Sequence, residues 1–259
     1  MPRSARLAAW GTAVLQGRAP PADAVRAVTG TDEPHLVDGP DGVLDGGLAE
    51  LLAGFLERGV AGLLVVLPAP GDVSGLPGPA AFNQDAVAAG ECVLAAGDAR
   101  ALGAGAGTGI VPSLEVFGSP WELGCLVTWT VQETLPRRVT DAASLAEADR
   151  ALREALAEAV DTLVSLDLAR WREDAADRIT AVRAGSLAPG SLPPGTASRA
   201  AQVLASAARV RAIVDLAVED DGAALSGHEA RRRAEALRGL DAVARRGMVA
   251  AVNAALEPR

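Results

Sequence analysis

The stretch that decides the fold is "WELGCLVTWTVQ", residues 121–132. Trp121, Leu123, Cys125, Val127, Trp129 and Val131 alternate with Glu122, Gly124, Leu126, Thr128, Thr130 and Gln132. Strict period two over twelve residues is the pattern of a strand with one face buried. Just before it, "IVPSLEVF" at 110–117 reads as a second strand, and Gly118-Ser119-Pro120 reads as a turn-forming link. The pair is predicted to be an antiparallel hairpin. Pro112 lacks a donor N–H, so it places the first strand at an edge or a bulge.

Upstream, "AGLLVVLP" at 61–68 is continuously apolar, as in a strand covered on both faces, and is predicted to be internal to the sheet. "ECVLAA" at 91–96 makes a fourth, short strand. Residues 4–17 read as an amphipathic helix, and Pro21 opens another to about Val28. "DGGLAELLAGFLERG" sets Leu48, Leu51, Leu52, Phe55 and Leu56 on one helix face, with Gly59 as its stop. Asn83 is expected to cap a short helix from Gln84 to about Ala89.

Downstream the texture changes. Most of the 28 glycines and 16 prolines precede residue 139, whereas most of the 24 arginines follow it. Ser144 and Glu147 have capping-box spacing. The helix they open carries Leu145, Ala148, Leu152, Leu156, Ala159, Leu163 and Leu166. Trp171 starts a further short helix. After "GSLAPGSLPPGT", Thr196 is placed to cap a helix through Val203, Leu204, Val210, Ile213 and Val214. Ser226 and Glu229 form a second capping box, before a helix with Leu237, Leu240, Val243, Met248 and Val252. The prediction is an α+β protein. Residues 1–138 form a mixed α/β part, a small sheet of about four strands ending in an antiparallel hairpin. Residues 139–259 form a helical bundle packed against it, the two making one continuous unit.

Composition bounds the function. A chain of 259 residues with 49% hydrophobic content can bury a sizeable core. The net charge of −9 argues against a nucleic-acid surface and against an anionic membrane surface. No apolar run reaches spanning length, so a soluble cytoplasmic protein is expected. Arg231-Arg232-Arg233 and Arg245-Arg246 sit among acids and read as solvated helix faces. Cys92 and Cys125 lie in apolar runs and read as buried free thiols.

Every basic residue is Arg, and there is no Tyr. Without Lys there is no Walker A loop, no kinase strand lysine and no Schiff-base lysine for pyridoxal phosphate. "GAGAGTGI" at 103–110 leads into a strand, not a helix, and its glycines never give the dinucleotide spacing. His35, His228, Cys92 and Cys125 are isolated, so no metal site and no cofactor are expected. There is no nucleophile elbow, and no catalytic residue is assigned.

One segment invites a ligand. "LPAPGDVSGLPGPAAFNQDA", residues 67–86, is long and aperiodic after an apolar strand, and such loops are often functional. Asp72, Ser74, Asn83, Gln84 and Asp85 could converge there, with His35 beside Asp32 and Glu33 as a further candidate. Each has a structural reading too: Asp72 and Ser74 as turn formers, Asn83 as a cap, Asp85 as a first-turn acid, His35 as a loop histidine and His228 as a solvent-facing helix-start residue. The first functional reading is a non-enzymatic interaction or scaffold protein, engaging a protein partner or its own copy. The alternative is a small-molecule-binding protein or enzyme with a pocket near residues 68–85.

Overall fold

The computed structural model describes residues 1–97, 107–119, 122–136, 144–165, 187, 190–219 and 227–254. The chain divides into two compact units. One comprises Met1–Asp141, Pro189–Ala197 and Ala255–Arg259, and the other Ala142–Ala188 and Ser198–Ala254. Among the described residues the architecture is α+β, with seven helices and one six-stranded mixed sheet.

In the first unit, helices α1 (Arg3–Leu15) and α2 (Pro21–Thr29) precede a tight hairpin of β1 (Leu36–Gly39) and β2 (Gly42–Val43). Then come α3 (Gly47–Arg58), β3 (Gly62–Val66), α4 (Ala80–Ala89), β4 (Cys92–Ala96) and the long hairpin β5 (Gly107–Ser119) and β6 (Glu122–Thr134). The strand order is β2-β1-β6-β5-β4-β3. All pairings are antiparallel except β1 with β6. The sheet therefore has six strands, not four. The two missed strands sit in "LVDGPDGV", where Pro40 and Asp41 make a turn between strands too short to show periodicity.

Cross-strand register sorts the two faces. Val65, Val93, Ile110 and Val131 lie on one line across the sheet, and Trp129 pairs with Val37 on the same side. Helices α1 and α3 cover this face, and α2 packs on both of them. At Gly11 the α1 backbone comes so close that an added Cβ would stand 2.5 Å from Leu63 Cδ1. The opposite face holds Leu64, Val66, Cys92, Leu94 and Val111, packed against Phe82 and Ala86 of α4. Gly109 lets the Phe82 ring lie on β5, since a Cβ there would meet that ring at 2.4 Å.

Strand β3 is buried at all five positions, yet it is the terminal strand of the sheet, not an internal one. Continuous apolarity reports covered faces and says nothing of neighbours in the plane. The outer edge is closed by a side chain. The Thr12 hydroxyl accepts from the Leu63 N–H at 2.9 Å and donates to the Leu63 carbonyl at 3.0 Å. One hydroxyl thus replaces the next strand at that residue.

α1 is buried around nearly its whole circumference. The loop at 190–197 contributes to its cover, because Trp10 Nε1 donates to the Gly190 carbonyl at 3.2 Å. No side chain of its own caps the start of α1; instead Glu91, just before β4, accepts from the Ser4 N–H at 2.7 Å. α3 ends at Gly59, whose φ of 73° is the left-handed stop. Helix α4 begins at Ala80, a turn earlier than expected, so Asn83 lies inside it and does not cap it.

The second unit contains α5 (Leu145–Ser165), α6 (Ser198–Glu219) and α7 (Gly227–Asn253), with α7 packed on both others. The first capping box is formed: Ser144 N–H donates to Glu147 at 2.8 Å, and Glu147 N–H donates to Ser144 Oγ at 3.3 Å. Thr196 does not cap α6 but donates to the Pro193 carbonyl at 2.7 Å. Ala148, Leu152, Val203, Leu204, Ala207, Val210, Val214, Leu237, Leu240, Ala244 and Met248 are buried. The two arginine clusters are not simply a solvated face. Arg245 is 5% exposed and donates to Asp241 at 2.9 Å, which also meets Arg211 of α6. Arg233 donates to the Ala217 carbonyl near the end of α6. Trp171, the Ser226 hydroxyl and the second capping box lie outside the described residues, as do the side chains of Trp121 and Leu123.

Candidate functional site

The loop between β3 and α4 consumes most of its polar groups locally. Asp72 and Ala69 exchange two backbone hydrogen bonds, at 2.8 and 2.9 Å, closing a tight turn. The Asp72 carboxylate accepts weakly from the Ser74 N–H at 3.5 Å. Asn83 reaches back to accept from the Gly78 N–H at 2.9 Å, pinning the loop to α4. Asp85 accepts from Gln132 Nε2 at 2.9 Å and ties α4 to β6. Gln84 is exposed. His35 is not part of this cluster. It contacts Trp129, and residues 129 and 132 of one strand point to opposite faces, so His35 and Asp85 lie on opposite sides of the sheet.

His35 is instead the centre of a buried polar chain. Arg3, at the start of α1, grips Asp32 bidentately at 2.8 and 3.0 Å. Asp32 meets His35 Nε2 at 3.4 Å, and Trp129 Nε1 donates to His35 Nδ1 at 3.0 Å. Arg3 also approaches the Cys125 thiol at 3.5 Å. The His35 side chain has no exposed surface. A loop histidine would lie near solvent; this one is buried because β1 enters the sheet one residue later and sets the ring against Trp129.

Burial, the largest influence, pushes the His35 pKa below the usual histidine value, against the pull of Asp32. The Arg3 hydrogen bond holds the Asp32 carboxyl below its usual range, and Asp32 in turn raises Arg3. Because the indole can only donate, His35 Nδ1 must be bare and Nε2 must carry the proton. Both nitrogens are then engaged with protein groups. An Asp–His pair without a nitrogen facing solvent clasps α1 to β1 and β6; it is not arranged as an acid–base catalyst. His228 is exposed at the start of α7, as expected. Cys92 is buried and its thiol is pushed up to about 12, whereas Cys125 is half-buried rather than fully enclosed. No cluster of metal-ligating side chains occurs among the described residues. No helix among them is long and apolar enough to cross a membrane.

The second unit holds a groove of about 420 Å³ between α5 and α7, floored by Leu240 and Val243 and rimmed by Glu158, Glu235, Arg232 and Arg246.

The feature the sequence reading missed is the outer half of the β5–β6 hairpin. β4 pairs with β5 only at Gly109 and Ile110, and β1 pairs with β6 only at residues 128–130. Beyond Pro112, β5 continues for seven residues, about 20 Å at a strand's rise, with β6 as its one strand neighbour among the described residues. This arm is apolar and open: Leu114 is 46% exposed, Val116 65% and Phe117 47%. Leu114 and Val116 continue the face of Trp129, while Glu115 and Phe117 point the other way. Alternation shows that one face of β6 is apolar. It could not show that beyond Pro112 the β5 side chains are exposed, while Val127 of β6 on the same face stays buried.

Comparison with known proteins places the chain in a family. Residues 4–144 match the model of the N-terminal domain of Rv1486c-like proteins, and residues 146–249 match that of the C-terminal domain. The chain is 30% identical to uncharacterized protein Rv1486c of Mycobacterium tuberculosis (strain ATCC 25618 / H37Rv) over 282 aligned positions, covering 98% of this chain and 96% of that protein. It is 32% identical to uncharacterized protein MAV321 of Mycobacterium avium, over 67% of this chain and 65% of that one. It is 33% identical to uncharacterized protein ML1804 of Mycobacterium leprae, over 74% and 67%. No solved structure matches it. The chain belongs to the Rv1486c-like family.

Proposed function

We propose that this member of the Rv1486c-like family is a non-enzymatic protein-interaction protein whose contact element is the β5–β6 arm. One observation carries the reading: on a two-stranded projection Leu114 and Val116 stand exposed side by side on one face, and Phe117 is half exposed on the other. A two-stranded ribbon alone is marginal in water, and large apolar side chains left exposed on both of its faces suit an interaction surface. The His35 chain supports the reading from below, since it anchors β6 and α1 at the root of the arm. We place the protein in the cytoplasm, where two unpaired cysteines suit a reducing milieu.

The alternative, a small-molecule pocket at residues 68–85, has less behind it. Asp72 and Asn83 are turned to neighbouring backbone and Asp85 to Gln132 of β6, and His35 lies across the sheet from Asp85.

The test is a photo-crosslinking residue at Val116, incorporated in cells that make the protein. A covalent adduct to one protein species is expected, lost when Leu114→Asp is added. The same crosslinker at Val218, exposed on α6, is expected to give no such adduct. Failure to form an adduct from positions 114, 116 and 117, or a pattern identical to that from Val218, would refute the reading.

A further inference from the structure

Resting on the arm as contact element, we propose that its partner is a basic amphipathic strand that adds to the free edge of β5 beyond Pro112. The edge is there to be used: residues 113–117 pair with β6 on one side and with no described strand on the other. An added strand would gain main-chain hydrogen bonds along it, and its side chains would be read by alternation.

The arm dictates that alternation. Cross-strand neighbours stand about 5 Å apart on the same face. One face of the added strand meets Leu114 and Val116, so it must be apolar. The other meets Glu115 and Phe117. A carboxylate beside an aromatic ring selects Arg or Lys, which can pair with the first and lie over the second. The charge of the whole hairpin agrees. Residues 107–134 carry Glu115, Glu122 and Glu133 and no basic residue. A second copy fits poorly. An antiparallel self-pairing that engages all of residues 113–117 centres on Glu115 and sets two carboxylates against each other, between chains each of net charge −9.

The full chain is titrated with two blocked ten-residue peptides, one alternating Val and Arg, the other alternating Val and Glu. Fluorescence anisotropy reads affinity, and amide hydrogen exchange reads location. The Arg peptide is expected to bind, to weaken with salt, and to protect the amides of residues 113–117; the Glu peptide is expected to do neither. Glu115→Arg is expected to weaken the Arg peptide roughly fivefold or more and to admit the Glu peptide. Val116→Asp, a change at an exposed position, is expected to abolish protection by either. Equal binding of both peptides, or binding of the Arg peptide without protection at 113–117, would overturn the proposal. So would concentration-dependent dimerisation that protects those amides without peptide. If the Val116 crosslink forms while the peptides fail, the partner chemistry is wrong and the contact role stands; if both fail, the arm is not the contact element.

Discussion

Replacing Trp129 with Phe tests the buried chain at its least replaceable bond. The indole N–H is the donor to His35 Nδ1, at 3.0 Å, between two side chains with no appreciable exposure. Phe removes the donor and leaves a buried acceptor bare, at about 1–3 kcal/mol. The smaller ring forfeits further packing, on the order of 1 kcal/mol. The expected loss is therefore about 2–4 kcal/mol, a large share of the 5–15 kcal/mol typical of a domain. Urea unfolding of the full chain measures it. The bond itself is isolated by a cycle with His35→Leu. When both polar partners are gone the orphan cost vanishes, so the double variant should be less destabilised than the sum of the singles by roughly 1–2 kcal/mol. The pH dependence gives an independent reading. Folding lowers the His35 pKa from its ordinary 6.5, so below 6.5 the unfolded chain binds the extra proton and stability falls with falling pH until the native value is passed. Asp32, whose native value lies below its ordinary 3.8, contributes stability that is lost only under stronger acid, so among the described residues the window just below 6.5 belongs to His35. In Trp129→Phe, Nδ1 can take a proton without facing an N–H, and the slope in that window should flatten. Additive energies together with an unchanged slope would refute the account of the indole as the group that fixes the tautomer.

Three other outcomes follow from local geometry. Thr12→Val keeps the shape but orphans the Leu63 N–H and carbonyl; a loss of about 2–4 kcal/mol and faster exchange of the Leu63 amide are expected, and unchanged exchange would mean the edge is closed by something else. Gly109→Ala drives a Cβ into the Phe82 ring and into Thr134 at 2.7 Å, and should lower thermal stability more than Ala at Gly54, which has open space around it. Iodoacetamide at pH 8 should label Cys125 in the folded chain but spare Cys92 until denaturant is added, as mass spectrometry of the intact protein and its peptides would show.

What the sequence made legible was whatever repeats. Period two marks β6 and, through the turn before it, its hairpin partner β5; period 3.6 marks α3 and the three helices of the second unit, and the Ser144–Glu147 spacing locates the start of α5. What it hid depended on the third dimension. His35 and Asp32 are three residues apart and visible as a pair, but Arg3 and Trp129 join them from 29 and 94 residues away, and a tryptophan on the apolar side of a strand reads only as core. The placement of β3 failed for a related reason: five apolar residues in a row demand two covered faces, which a terminal strand flanked by α1 and α4 also has. At residues 68–85, aperiodicity signalled a loop that has to hold its own shape, and its polar groups are used for that.

Among the described residues, three edges of this sheet are treated differently, and the difference bears on function. β3 is shielded by α1, with the Thr12 hydroxyl satisfying the Leu63 backbone at a point where another strand would otherwise dock. β2, at the other end, is two residues long and offers little to pair with. Both are familiar ways of preventing edge-to-edge association. The outer part of β5 has neither device. It is long, apolar on one face, and guarded only by Glu115, a charge that repels acidic strands and attracts basic ones. Pro112, which has no N–H to give, marks where the sheet's paired part ends and this open edge begins. An edge left open through neglect would attract any unfolded strand, including its own copies. An edge open except for one carboxylate excludes those copies by charge while remaining available to a strand of the opposite sign. Changing Glu115 to a neutral residue should therefore do more than weaken a basic partner. In light scattering, Glu115→Val should self-associate at concentrations where the parent chain stays monomeric, because the removed charge was the barrier to pairing. If Glu115→Val stays monomeric across the range in which the arm amides exchange freely, the carboxylate is not acting as that barrier.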